Sequence, residues 1–290
     1  METYIHNYKL LDKLGKGAFS TVFKGEHRTT KKLVAIKVEK EATTLKHESK
    51  IIAYLNRELP GLPNIPTLYW YGLYGNNVCL ASTYYATSLN QYVESVDGDS
   101  FKLLKICSKM ISGLGVLHSA YIVHSDIKPD NIMIDANENP VFIDFGLSSL
   151  FYNAEKDIYK EDIRGVHLIG SPKYASYNLH LGHPVLPRDD LMSAGYLMMT
   201  ILGIELPWST ENMGLIKTPE VKENHEFPLF HVMQPENVQR AKYKKLEVLK
   251  EYLLEKKYNQ HLIPFFEKVY SLQYKEPIDY AGCRKFFSLI

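Results

Sequence analysis

Two short polar segments, each set directly behind an apolar run, constrain this chain more than anything else in it. The first is His124-Ser125-Asp126-Ile127-Lys128-Pro129-Asp130-Asn131, behind Tyr121-Ile122-Val123. The second is Asp144-Phe145-Gly146, behind Val141-Phe142-Ile143. Apolar runs this short read as buried strands, so the polar groups after them are held at strand ends facing a cleft. Asp126 and Asn131 share one predicted loop, and Asp144 stands on the next. Three oxygen-bearing side chains plus Lys128 suit a magnesium-bound polyphosphate and a hydroxyl being stripped of its proton. Asp, Asn and Gly are also ordinary turn residues, so the order and spacing carry the reading, not the residue types.

Composition narrows the setting. With 290 residues, 45% hydrophobic and 23% charged, the chain can build a sizeable core or two lobes. A formal net charge of +1 gives no global field toward nucleic acid or an anionic membrane, and no direct nucleic-acid binding is expected. Cys79, Cys107 and Cys283 are widely spaced, without a C-x-x-C, and read as reduced thiols of an intracellular protein. Met1 to Lys13 lacks the pattern of a signal peptide. Ala194 to Leu206, the most apolar stretch, is interrupted by Gly195, Gly203 and Glu205; it is too short to span a bilayer and reads as a buried helix. No repeat, low-complexity tract or lipidation motif is present.

The first eighty residues predict a small sheet. Tyr8 to Leu14 and Ser20 to His27 read as strands around Gly15-Lys16-Gly17-Ala18-Phe19-Ser20. Two glycines let a hairpin tip bring backbone N–H groups close to phosphate oxygens, although a plain hairpin turn has the same letters. Leu33 to Val38 is an apolar strand with Lys37 inside it. A lysine among buried residues needs an anion, unless it snorkels from an edge strand. A helix from Leu45 to Leu59, with Ile51, Ile52 and Leu55 on one face, sets Glu48 on that apolar side. A Lys37–Glu48 contact would satisfy both charges; the alternative is Glu48 reaching solvent at the helix edge. Strands over Thr67 to Leu73 and Val78 to Thr83 follow, joined at Gly75-Asn76-Asn77, for five strands in all. Ser82 to Ala86 closes this small lobe, and its tyrosines would serve as packing residues or as part of a hinge.

The rest reads as mainly helical. Leu103, Ile106, Met110, Leu114 and Leu117 give a long amphipathic helix into the first polar loop. Leu147 to Leu168 is expected to be polar and irregular, and Asp190 to begin the apolar helix 190–206.

These pieces resemble the protein-kinase set, H-R-D-x-K-x-x-N followed by D-F-G, with V-A-I-K at Val34 to Lys37 and a G-x-G-x-x-G-x-V loop ending at Val22. Ser125 replaces the arginine, and Ser20 the third glycine. The resemblance implies Asp126 as catalytic base, Lys128 steadying the transferred phosphoryl, and Asn131 and Asp144 holding Mg2+. It implies Lys37, paired to Glu48, on the phosphates of ATP. The nucleotide-binding residues it implies are Leu14, Gly15, Lys16, Gly17, Ala18, Phe19, Ser20, Thr21, Val22, Ala35 and Lys37. It also implies an aspartate at Asp190 that accepts from the catalytic-loop backbone; a helix N-cap carboxylate is the other reading. Without an arginine at 125, no phosphate on the activation segment is needed for activity.

Gly170-Ser171-Pro172-Lys173-Tyr174-Ala175-Ser176-Tyr177-Asn178-Leu179-His180-Leu181-Gly182 stands where most kinases carry A-P-E. It resembles the G-T-A-R-Y-A-S-x-N-x-H-L-G of the casein kinase 1 family. Arg188-Asp189-Asp190-Leu191, Leu206-Pro207-Trp208 and His47-Glu48-Ser49-Lys50-Ile51 extend the likeness over nearly the whole chain. The resemblance implies a two-lobed α+β protein kinase fold in one domain, 1–290, with an ATP-binding lobe 1–83 and a helical substrate-binding lobe 84–290. Residues 209–235 depart from the family as a surface insertion. The implied reaction transfers the ATP γ-phosphoryl to Ser or Thr of protein substrates with acidic or phosphorylated residues before the target. Lys173 and Lys242 would read that charge, although Gln239 and Ala241 dilute the family's basic element. A monomer without a membrane segment is expected, in nucleus or cytoplasm. Roles in DNA repair or trafficking are open by family analogy. The residue behind the adenine pocket, usually methionine, falls on Ala81, or on Ser82 if the extra residue lies earlier. The alternative function is a nucleotide-binding pseudokinase scaffold, which only Ser20 and Ser125 favour.

Overall fold

The computed structural model describes residues 3–17, 20–40, 44–160, 169–208 and 246–288. The chain divides into two compact units, Met1–Tyr92 with Asp130–Ser148, and Val93–Pro129 with Ser149–Ile290.

The first unit is built on a six-stranded sheet of β1 (Tyr4–Ile5), β2 (Tyr8–Lys16), β3 (Ser20–His27), β4 (Leu33–Glu39), β5 (Leu68–Tyr74) and β6 (Asn77–Thr83). Its order is β1-β2-β3-β4-β6-β5 and every pairing is antiparallel. The sequence predicts five strands. The sixth, β1, is two residues long, too short for any alternation to show, and it joins because Ile5 packs with Tyr8. Period-two alternation sorts the sheet into faces. On one, Ile5, Tyr8, Val34, Ile36, Cys79 and Ala81 form a buried cluster flanked by Leu10, Val38, Tyr69 and Trp70. On the other stand Ala35 and Lys37, opposite Ser82 and Leu80 of β6.

Helix α1 (Thr44–Glu58) packs on β5 and β6 through Leu45, Ile52 and Leu55. Its N-terminus is sealed from outside the helix. Buried Glu39, at the end of β4, accepts from Thr44 Oγ1 at 2.8 Å and Leu45 N at 3.2 Å, which sets a carboxylate against the positive helix end. A smaller sheet joins Thr87–Ser88, Ile132–Ile134 and Pro140–Phe142. Asn64 ties this sheet down, accepting from Phe142 N at 3.0 Å and donating to the Pro140 carbonyl at 2.8 Å. Helix α2 (Leu89–Ser95) then carries the chain out of the unit.

The second unit is mainly helical: α3 (Ser100–Ser119), α4 (Tyr177–His180), α5 (Pro187–Ile201), α6 (Leu246–Leu254), α7 (Asn259–Ser271) and α8 (Tyr280–Lys285). Asp99 caps α3, accepting from Phe101 N and Lys102 N. Helix α5 is buried on nearly all sides, as apolar residues around its whole circumference from Leu191 on require. A Cβ on Gly195 would lie 2.6 Å from a Phe266 ring carbon, so glycine there is what lets α7 approach. The predicted helix 190–206 starts and ends earlier in fact. Pro187 fits the first helical position, and Gly203, at φ +74°, belongs to the turn that follows. The expected irregular stretch after Gly146 is partly ordered as ribbons, Ser149–Leu150 on Ile122–Val123 and Tyr152–Asn153 on Ile158–Tyr159. Tyr152 and Tyr159 pack at 4.7 Å between centroids, a cross-strand aromatic pair that two-residue strands conceal from periodicity. Among the described residues, no helix is long and apolar enough to cross a membrane. The insertion 209–235 and the basic run up to Lys245 lie outside the described residues.

Candidate active site

In the first unit, Lys37 is held between two carboxylates. Its Nζ lies 2.8 Å from Glu48 Oε2 and 2.9 Å from Asp144 Oδ1. Burial by itself would lower the Lys37 pKa, but Glu48 and then Asp144 outweigh it and raise it, so the ammonium stays charged. Burial pushes the Glu48 carboxyl up, and Lys37 pulls it back. Glu48 is almost sealed, with 5% of its side chain exposed, whereas Asp144 keeps 44%. The predicted Lys37–Glu48 pair is present, and Asp144 completes it as a triad.

The hairpin 132–142 explains how Asn131 and Asp144 come together. Ile132 pairs with Phe142, so the chain leaves both strands at the same end. Ile143 N donates to the Asn131 carbonyl at 2.9 Å, one step further along the same ladder. Asp144 takes a left-handed conformation, φ 64°, ahead of the 3-10 turn Phe145–Leu147. That turn packs on α1, where His47 Nε2 meets the Ser148 carbonyl at 2.7 Å. The donor set fits magnesium: an amide oxygen and a partly exposed carboxylate are hard oxygen ligands, and two of them leave most of an octahedron to phosphate and water. Groups of three or more His, Cys, Asp or Glu suited to a metal are absent among the described residues.

The β2–β3 hairpin supplies Leu14, Gly15, Lys16, Gly17, Ser20, Thr21 and Val22; Ala18 and Phe19 lie outside the described residues. Gly17 N closes the tip on the Ser20 carbonyl at 2.8 Å. A Cβ on Gly15 would meet nothing within 4 Å, so the protein's own packing does not demand glycine there. Ala35 sits two residues before Lys37 on the same face. The register separates the two residues expected near an adenine: Ser82 pairs with Ala35 on the Lys37 face, while Ala81 is sealed in the opposite cluster.

In the second unit, Asp126 is buried and its two oxygens are differently used. Oδ1 accepts from Ser171 N at 2.8 Å, and Oδ2 lies 2.7 Å from Lys128 Nζ. Lys128 also donates to Ser171 Oγ at 3.0 Å. The segment reaches the carboxylate because Gly170, at φ +85°, lets two backbones touch; a Cβ there would lie 2.4 Å from the Ser125 carbonyl oxygen. Behind this, Asp190 accepts from His124 N at 2.7 Å, Ser125 N at 2.9 Å and His118 Nε2 at 2.9 Å. Burial alone would raise its pKa, but His118 and the backbone donor lower it below the usual carboxylate range. Ser125 has φ 73°, a strained backbone for a non-glycine residue, held by that aspartate.

Three positions in this network escape the sequence reading. Ser171 links the Lys173 stretch to Asp126. His118 reads as a lone histidine at a helix end. Asp189, and not Asp190, is the capping carboxylate: it accepts from Leu186 N at 2.9 Å, Ser176 Oγ at 2.6 Å and Asn178 Nδ2 at 2.9 Å. The doubled Asp189-Asp190 was the available signal, since two buried acids in succession point to opposite duties. Lys173 is exposed, its ammonium 5.6 Å from the Tyr174 ring, and its carbonyl accepts from Trp208 Nε1 at 2.8 Å. Lys242 lies outside the described residues.

An ion-paired lysine on a strand, a hairpin end carrying Asn and Asp, and a buried aspartate beside a lysine are the parts of a phosphoryl-transfer enzyme. The protein kinase domain family matches residues 8–271, which makes the class a protein kinase. A "probable casein kinase I homolog" of Encephalitozoon cuniculi (strain GB-M1) is 36% identical over 217 residues, 72% of this chain and 70% of the relative. "Casein kinase I homolog 3" of Schizosaccharomyces pombe (strain 972 / ATCC 24843) is 29% identical over 211 residues, 70% of this chain and 47% of that longer protein. The chain belongs to the casein kinase 1 family of serine/threonine protein kinases.

Proposed function

We propose that the chain transfers the γ-phosphoryl of magnesium-bound ATP to serine or threonine hydroxyls of protein segments with an acidic or phosphorylated residue before the target. The observation that carries the reading is the Asp126 carboxylate, buried yet fixed by Ser171 N on one oxygen and facing the Lys128 ammonium with the other. In this reading Asp126 Oδ2 takes the hydroxyl proton and Lys128 balances the charge developing on the phosphoryl. Lys37, fixed by Glu48, orients the phosphates, with the hairpin 14–22 and Ala35 around the nucleotide. Asn131 and Asp144 would hold magnesium, which when bound supplies charge neutralisation at the phosphates. Little covalent work falls to the side chains; they position two substrates and a charge.

The substrate class rests on the family likeness of the Lys173 stretch and on Lys173 and Lys242 as its cations. Lysine attracts phosphate as a point charge without arginine's planar fork, so the preference for pre-phosphorylated peptides is present but weak and salt-sensitive. A monomer in nucleus or cytoplasm is the accompanying expectation. The test is radiolabel transfer from magnesium-ATP to plain, acidic and pre-phosphorylated serine peptides. Faster transfer to the last two, reduced in a Lys173→Ala, Lys242→Ala double variant that keeps its rate on the plain peptide, supports the reading. Equal rates on all three peptides overturn the substrate class, and no transfer to any of them leaves the scaffold.

A further inference from the structure

The second unit contains a cavity of about 390 Å³ that phosphoryl transfer does not use. That volume lies in the range of small-molecule sites. Aromatic rings of Tyr121, Phe151, Tyr159 and Tyr280 line much of it. Among the described residues its cations are Arg188 and Lys275. Arg188 gives one N–H to the Leu272 carbonyl at 3.2 Å, and its buried Nε–H has no partner among the described residues. Lys275 holds its ammonium over the Tyr159 ring, 5.2 Å from the centroid, instead of on a carboxylate. The one acid in the lining among the described residues, Glu276, is spent on its own loop, accepting from Gln273 N at 2.7 Å. The Arg188 charge acts on buried Asp189 behind it, so Lys275, held over its rings, is the cation left to a flat anion.

The cavity also touches the support of the catalytic loop. His118 lines it and lies between Tyr280, whose hydroxyl meets Nδ1, and Asp190 on Nε2. Asp190 in turn holds the backbone of His124 and Ser125, the two residues before Asp126. We propose that this cavity is a binding site for a small aromatic carboxylate, and that its occupant shifts the rate of phosphoryl transfer through His118 and Asp190. The rate effect rests on the function proposed above; the binding does not. An occupant that moves Tyr280 or His118 acts on the one carboxylate that fixes the strained loop, so coupling needs no change in the nucleotide site.

The probe is 2-naphthoate, with uncharged 2-naphthamide as control, titrated calorimetrically into the full chain saturated with a non-hydrolysable ATP analogue. Naphthoate is expected to bind with the analogue present, and naphthamide about tenfold more weakly. Ser119→Trp, at an exposed lining position, should abolish binding by filling the cavity, and Lys275→Glu should weaken it about tenfold. Saturating naphthoate should change kcat on a serine peptide about twofold or more in the parent and not in Ser119→Trp. No binding at millimolar probe, displacement by the ATP analogue, or unchanged binding in both variants overturns the site. Binding without a change in kcat overturns the coupling. A chain that binds naphthoate yet transfers no phosphate in its absence overturns the catalytic reading, and the coupling with it, while the site stands.

Discussion

Each unit buries acidic side chains beside a basic one, and the two clusters serve opposite ends. In the first, Lys37 faces both Glu48 and Asp144, so two carboxylates share one ammonium. Asp144 is the member left partly exposed. In the second, Asp190 has 2% of its side chain exposed, and its oxygens are taken by two backbone N–H groups and a histidine. A buried charge with all its partners built in fixes geometry and needs no ligand. A carboxylate left partly exposed beside its ion pair can take a further cation. The difference lies in what surrounds each aspartate, since the residue type is the same.

The largest effects should come from removing the proposed base and then breaking each cluster in turn. Asp126→Asn, which spares both, is expected to lower phosphoryl transfer by about 10²–10⁴-fold with ATP affinity unchanged, read by radiolabel transfer and calorimetry. Asp144→Asn should lower transfer by about 10²-fold or more, yet leave the denaturation midpoint close to the parent's, because Lys37 keeps Glu48. Asp190→Ala should reverse that pattern. Two backbone N–H groups and a histidine lose their acceptor in the interior, at about 3–5 kcal/mol in a urea melt. A stable Asp190→Ala or an unstable Asp144→Asn would erase the distinction between the clusters.

Acid sharpens it further. The Asp190 pKa is depressed on folding, so its contribution to stability is full above its unfolded value and is lost as pH falls through the folded one. Measured against Asp190→Asn, the parent's advantage should shrink below about pH 4. Lys37 has the opposite sign: its pKa is raised, and its contribution is complete below about pH 10.5 and is lost only as pH rises through the raised value. An Asp190→Asn difference that stays constant from pH 6 to pH 3 would mean the carboxylate is not ionised in the fold.

Much of this was legible before any coordinates. Lys37 in an apolar strand and Glu48 on an apolar helix face are both costly alone, and that shared anomaly predicts their contact. The spacing within 124–131 and the following Asp144-Phe145-Gly146 locate the candidate site residues, since the apolar runs in front of them form short buried strands. What stayed hidden depends on register and long-range pairing. β1 and the ribbons at 149–159 are two residues per strand, below the length at which periodicity means anything. Glu39 caps α1 from a neighbouring strand, so no local capping pattern marks it. The division of labour between Asp189 and Asp190 is one helical step of about 100°, which adjacent letters cannot express.

The smallest expected effect tests the same contrast within a single strand. Ala81 and Ser82 are neighbours on β6, but alternation turns them to opposite faces. Ala81 is fully buried with Ile36 and Cys79 in a closed cluster, while Ser82 stands beside Ala35 on the face that carries Lys37. A methionine at 81 must force its extra atoms into packed apolar side chains, and overpacking of that kind costs about 1–3 kcal/mol. A methionine at 82 faces Ala35 on one side and Leu68 on the other, outside the closed cluster, and should leave the melting midpoint close to the parent's. Its consequence should instead be on the nucleotide. With serine there the adenine side has room, so ATP analogues bearing a bulky N6 group should compete well against the parent and about tenfold less well against Ser82→Met. The two variants differ by one position and the same side chain, so their effects separate cleanly: stability for one, analogue selectivity for the other. Loss of analogue binding in Ala81→Met with an unchanged melt would mean that β6 is read one residue out of register, and that the face assigned here to Lys37 belongs to Ala81.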